Sequence, residues 1–132
     1  MVNITASIGN ENFRTEIKGS NTIIADEPKE KGGQNLGLNP GELLAASLAS
    51  CSLITMKMYA QRKNWDLQHA FVEISYDHDE KEHTANMIKH ITLTGTLDEE
   101  QRSRLKYIAG VCPVHRLLEK SIHIESFLTD AV

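Results

Sequence analysis

The chain is poor in the features that would assign it quickly to a class. Two cysteines among 132 residues are too few for a stapled secreted fold. The opening stretch MVNITASIGN has neither a basic segment nor an apolar core of the kind that marks an export signal. That points to the cytoplasm, where a structural disulfide is unusual and thiols stay reduced. No basic stretch interleaved with aromatics occurs, and the net charge of −4 with a pI near 5.8 gives no reason to expect nucleic-acid binding. The longest apolar run is broken by Ser, Thr and Lys57, which argues against a membrane span. Neither an internal repeat nor a low-complexity segment is present. What remains is an ordinary composition, 40% hydrophobic and 24% charged, in a length suited to a single domain over 1–132 with a modest core.

The stretch that organises the chain is Asn39–Lys63. Asn39 suits an N-cap, Pro40 the first helical position, and Glu42 the carboxylate of a capping box. Leu43, Leu44, Leu48, Cys51, Ile54, Thr55 and Met58 follow at three- and four-residue steps, with Ala and Ser between them. This pattern predicts one long helix, central and largely buried. Before it, the alternations Val2–Ile8 and Phe13–Ile17 and the segment Thr22–Ala25 predict a small antiparallel meander, and the Gly- and Lys-rich Asp26–Leu38 an exposed loop.

After it, Phe71–Asp77 and Ile88–Leu97 alternate around the charged turn DHDEKEHT and predict a long hairpin. Asp98 with Gln101 predicts a second capping box, opening a helix that Gly110 closes. Cys112 and Pro113 suit the N-cap and first position of another short helix. Ile122, Ile124 and Phe127 suggest a last strand. The order of elements is that of an α+β domain. So long an apolar helix is hard to cover within one small chain, so a homodimer sharing a pair of central helices is expected.

The cysteines carry the chemistry. Burial in an apolar helix alone raises a thiol pKa, so a reactive Cys51 needs a charge partner. Cys112 at a helix start meets unpaired N–H groups, and His115, one turn on, is placed to carry a proton. Two such thiols, one attacking and one resolving, are the minimal apparatus of two-electron redox chemistry. The bland alternatives are core packing for Cys51 and helix capping for Cys112. Cys51, Cys112 and His115 could supply three metal ligands, but His69, His78, His83, His90 and His123, which would offer others, lie on polar strand faces or turns without the paired spacing typical of zinc. An acyl-transfer site lacks an oxyanion-hole motif.

LNPGELLAASLASCS followed much later by GVCPVHRLLEK resembles the OsmC/Ohr family, the osmotically inducible and organic-hydroperoxide-resistance proteins. The resemblance covers the whole chain. It implies an intertwined homodimer in which long central helices pack against antiparallel sheets. It also implies a thiol-dependent peroxidase acting on organic hydroperoxides. The residue matching Cys51 attacks the O–O bond, that matching Cys112 condenses with it to a disulfide, and a dithiol reductant, lipoyl-type in some relatives, restores both thiols. No metal, haem or flavin is implied.

The match departs from the family where an arginine holds the attacking thiolate and a glutamate holds that arginine. The glutamate position after Asn-Pro is Gly41, Glu42 matches the second carboxylate of the run, and the arginine of one branch falls on Lys31. Another branch draws its arginine from the first strands, where Arg14 is nearest but out of register. Lysine is a point charge without the planar fork that grips thiolate and carboxylate together. The candidate site is therefore Cys51, Cys112, Glu42 and Lys31. The competing expectation is an OsmC fold that binds a small apolar molecule or senses redox state without efficient turnover.

Overall fold

The computed structural model describes residues 1–129 and divides them into two compact units, Met1–Ala46 and a second beginning at Ser47. The first unit opens with three short strands, β1 (Thr5–Ile8), β2 (Thr15–Lys18) and β3 (Thr22–Ala25), paired antiparallel in that order. Asp26 follows, only 2% exposed. Its carboxylate accepts the backbone N–H groups of Phe13, Glu27, Gln34 and Leu36 at 2.7–3.3 Å. One charge thus satisfies four donors that a glycine-rich loop would otherwise leave to water. Burial works to raise the Asp26 pKa, but those four N–H groups hold it below its ordinary value.

Helix α1 (Pro40–Lys63) starts on the reciprocal cap expected of it. Asn39 Oδ1 accepts from the Glu42 N–H at 2.8 Å, and Glu42 Oε1 from the Asn39 N–H at 2.9 Å. The division between the units falls inside this helix. By length and composition alone α1 could cross a membrane, but Met56 and Ala60 belong to the core of a mixed α and β unit. The expectation of a largely buried helix needs correction. Only Leu48, Ser52, Met56 and Ala60 are buried, a narrow stripe at four-residue steps, while Leu44, Ile54 and Met58 are exposed. Elements of this chain cover one side of α1 and leave the apolar residues on its other side in solvent.

In the second unit β4 (His69–Asp79) and β5 (Thr84–Thr94) form the long hairpin, with Val72 opposite Ile91 and Ile74 opposite Lys89. Its inward face alternates strictly with the solvent face, as a half-buried strand pair requires. Helix α2 (Glu99–Gly110) begins on the Asp98–Gln101 capping box, both halves of which are formed. Its buried residues Leu105 and Ala109 meet Met56, Ala60 and Leu67 in the core, with Leu53, Tyr59, Trp65, Val72, Ile91 and Leu93 around them. Gly110 is the last helical residue, and Val111 rather than a left-handed glycine forms the C-cap. Helix α3 (Pro113–Leu118) starts with Cys112 at the N-cap and Pro113 at the first position.

The last expected strand is absent among the described residues. Residues 121–129 have no regular secondary structure, and Ile122, Ile124 and Phe127 are exposed. Their alternation is that of a strand, but none of the described strands pairs with them.

Candidate active site

The second unit brings the two cysteines together. Cys51 lies on α1, half-buried, and Cys112 at the start of α3 is fully buried; both are free thiols. Helical spacing turns Ser52, the residue after Cys51, into the buried stripe, where its hydroxyl lies 3.7 Å from the Cys112 sulfur and 2.9 Å from the Leu48 carbonyl oxygen. The Cys51 sulfur lies 4.0 Å from Thr55 Oγ1, and Cys51 is among the groups that lower the Cys112 thiol.

Burial pushes the Cys112 thiol up. The His115 N–H, the Ser52 hydroxyl, Cys51 and the charge of Lys89 outweigh burial and bring it below the ordinary thiol value. The His115 N–H acts through its dipole, since the Cys112 side chain forms no capping hydrogen bond. The helix start read from the sequence thus acts on the Cys112 thiol through the His115 N–H, and Ser52, Cys51 and Lys89 act on it as well.

Lys89 was not singled out in the sequence. It stands on the inward face of β5 in the row Met87, Lys89, Ile91, Leu93, half-buried where each neighbour in phase is apolar. Its ammonium donates to the Ala109 carbonyl oxygen at 2.8 Å and to His115 Nδ1 at 2.9 Å. Burial lowers its pKa, while the negative charge available to Cys112, Cys51 and Glu119 works the other way. His115 Nε2 lies 3.5 Å from Glu119 Oε2. The imidazole ring is therefore engaged by Lys89 and Glu119, and it is the backbone of His115 that acts on Cys112. The signal for Lys89 was legible: a lysine in the apolar phase of a strand.

Lys31 and Glu42 belong to the first unit. Lys31 ends a short 3-10 turn (Lys29–Lys31) and is exposed, and the Glu42 carboxylate is engaged in the α1 cap. Among the described residues no group of three His, Cys, Asp or Glu is arranged to hold a metal ion.

With this arrangement in place, comparison with known proteins defines the class. The family model of OsmC-like proteins matches residues 32–127, and the chain belongs to that family. A curated relative, an uncharacterised protein of Acinetobacter baylyi, is 29% identical over 108 residues, covering 79% of this chain and 76% of its own. Among solved structures, an osmotic stress induced and detoxification response protein from Psychrobacter arcticus is similar, with a TM-score of 0.77 and 25% identity over 93% of this chain and 89% of that one. An organic hydroperoxide resistance protein OsmC from Legionella pneumophila shares the fold, with a TM-score of 0.65 and 24% identity over 89% of this chain and 88% of that one.

Proposed function

We propose that this chain is a thiol-dependent reductase of organic hydroperoxides, with Cys51 attacking and Cys112 resolving. The observation that carries this reading is that the two thiols, one half-buried and one fully buried, lie at one corner of the second unit, where Ser52, the residue after Cys51, has its hydroxyl 3.7 Å from the Cys112 sulfur. Cys51, the less buried of the two, is the one a peroxide reaches. Attack forms a bond from the Cys51 sulfur to the outer peroxide oxygen and breaks O–O, releasing alcohol and leaving Cys51 as a sulfenic acid. Cys112 then attacks the Cys51 sulfur, the S–S bond forms, and the hydroxyl leaves as water. A dithiol, lipoyl-type in chemistry, returns both thiols by exchange. The hydroperoxide-resistance name of the Legionella relative supports the substrate class.

The working form is a homodimer in the cytoplasm. Support for the dimer comes from the exposed apolar residues of α1 and of 121–129, which a second copy would cover. Lys31 and Glu42 are kept as candidates for holding the Cys51 thiolate and its cation. Their exposed or cap-engaged positions favour a second reading, in which the fold binds a small apolar molecule or senses redox state without efficient turnover.

One equivalent of cumene hydroperoxide, followed by intact mass and thiol count, separates the two. Loss of two hydrogens and both thiols within seconds is expected. Cys51→Ser is expected to abolish consumption, and Cys112→Ser to stop after one turnover at the sulfenic acid. Thiols unchanged after many minutes would leave the binding reading.

A further inference from the structure

Helix α3 carries one of the two thiols at its start, yet burial does little to tie it down. Its residues, Pro113–Leu118, are half-buried or exposed. A helix that short is marginal by itself in water, so something outside it must hold it in place. Cys112 anchors the N-cap by burial, but its side chain makes no capping hydrogen bond. The end of α2 has the complementary problem. Its Ala109 carbonyl would be bonded by the N–H four residues on if the helix continued, but that residue is Pro113, which has no N–H. The last turn of α2, the negative end of the helix, holds no basic side chain of its own.

Lys89 of β5 answers both. Its ammonium donates to the Ala109 carbonyl oxygen at 2.8 Å and to His115 Nδ1 at 2.9 Å. An ammonium has only donors, so Nδ1 accepts, and the imidazole proton lies on Nε2, which is 3.5 Å from Glu119 Oε2. Ala109 stands three residues before Cys112, and His115 three residues after it. One side chain thus grips the chain on both sides of the cysteine and ties the turn to the hairpin. The cysteine itself meets α1, where Ser52 Oγ lies 3.7 Å from its sulfur. Burying an ammonium in the apolar row of a strand is unfavourable, and the double contact offsets that cost.

We propose that Lys89 is a positioning residue for Cys112: by holding Ala109 and His115 it fixes the sulfur against α1 for bonding to Cys51. The fixing stands on these contacts; the bonding step rests on the peroxidase reading. In that step the Cys112 sulfur bonds to the sulfur of the Cys51 sulfenic acid as the S–O bond breaks. The hydroxyl takes the Cys112 proton and leaves as water. Lys89 exchanges no proton and touches no substrate. It governs how readily the two sulfurs meet, not how fast Cys51 meets a peroxide.

Amide hydrogen exchange tests the grip without peroxide. The reporters are the N–H of Arg116, which donates to the Cys112 carbonyl at 3.1 Å, and that of Glu119, which donates to the His115 carbonyl at 3.2 Å. Lys89→Met, which suits the apolar row, should speed their exchange about tenfold and leave the amides of Met56 and Leu105 unchanged. Unprotected reporters in the wild type, unchanged exchange in Lys89→Met, or equal acceleration in the core would overturn the grip.

Quenched-flow mass spectrometry with cumene hydroperoxide then separates the two chemical steps. Lys89→Met should form the Cys51 sulfenic acid at the wild-type rate and the disulfide about tenfold more slowly. Lys89→Arg has donors for both acceptors and should return the disulfide step to within about threefold of wild type. His115→Leu removes one acceptor and should slow the same step, and the double variant should be no slower than Lys89→Met alone. If Lys89→Met does not fold, His115→Leu decides both measurements. Equal slowing of both steps, or a disulfide step at the wild-type rate, would overturn the positioning role. A wild type that consumes no peroxide removes the peroxidase reading and the bonding step with it, and the exchange rates then decide the grip on Cys112.

Discussion

Replacing Ser52 by alanine separates what the buried hydroxyl does for the thiol from what it does for the helix. A hydrogen bond to a charged group contributes roughly 1.5–3 kcal/mol when short and direct. Here the hydroxyl lies 3.7 Å from a soft acceptor and is shared with the Leu48 carbonyl, so about 1 kcal/mol is the better figure. Since one pH unit corresponds to about 1.36 kcal/mol, the Cys112 midpoint should rise by roughly 0.5–1 pH unit.

Stability near pH 6 should change by less than about 1 kcal/mol. The lost hydroxyl contacts are partly offset by the better helix propensity of alanine. The sign reverses nothing but grows with pH. The folded Cys112 pKa lies below the unfolded one, so the thiolate adds stability as pH rises through the folded value, fully present above the unfolded value of about 8.5. Ser52→Ala removes part of that gain, so the urea-derived stability deficit should be about 1 kcal/mol larger at pH 9.5 than at pH 6. Thiolate absorbance and urea unfolding at both pH values read the two effects. An unchanged midpoint with a pH-independent deficit would show that the hydroxyl proton stays on Leu48 and contributes nothing to the sulfur.

Leu105 is fully buried against Met56 and Ala60, so Leu105→Ala should cost about 3 kcal/mol and lower the melting temperature by roughly 10 °C. A loss below about 1 kcal/mol in calorimetry would mean the core closes over the gap. Asp26 has a folded pKa below its unfolded value, so its contribution is present above about pH 3.9 and is lost as pH falls through the folded value. Asp26→Asn should therefore destabilise the protein at pH 7 and leave it less acid-sensitive; equal acid sensitivity in both proteins would refute this role.

The parts of the fold written in local chemistry were legible. Asn39, Pro40 and Glu42 mark the start of α1, Asp98 and Gln101 that of α2, and Cys112 and Pro113 that of α3, because caps and fixed dihedrals act within one turn. The buried face of α1 was not. Large apolar residues suggested the row Leu43, Leu44, Leu48, Cys51, Ile54, Thr55 and Met58, of which the core takes Leu48, joined by Ser52, Met56 and Ala60. Ser52 and Ala60 are small enough to let a neighbour approach closely between Leu48 and Met56, and that choice is made by tertiary packing. The strand expected near Ile122 and Ile124 failed for the same kind of reason: alternation records a preference, and pairing needs a partner. Of the site, both thiols came from the motifs, but their cation came from the hairpin register, which sets Lys89 beneath α3 and α2.

The narrowness of the buried stripe on α1 has a consequence for reactivity. Each four-residue step turns about 40° around the helix axis, so the row from Leu48 to Ala60 winds obliquely over one side. Ile54 and Met58 then fall on the side facing away, with Cys51 at its edge, so that two exposed apolar residues adjoin a half-buried sulfur. Whatever covers that side, a second chain or an apolar peroxide, also governs solvent access to the thiol. The alkylation rate of Cys51 should then depend on protein concentration, which would make the sulfur a reporter of its own assembly.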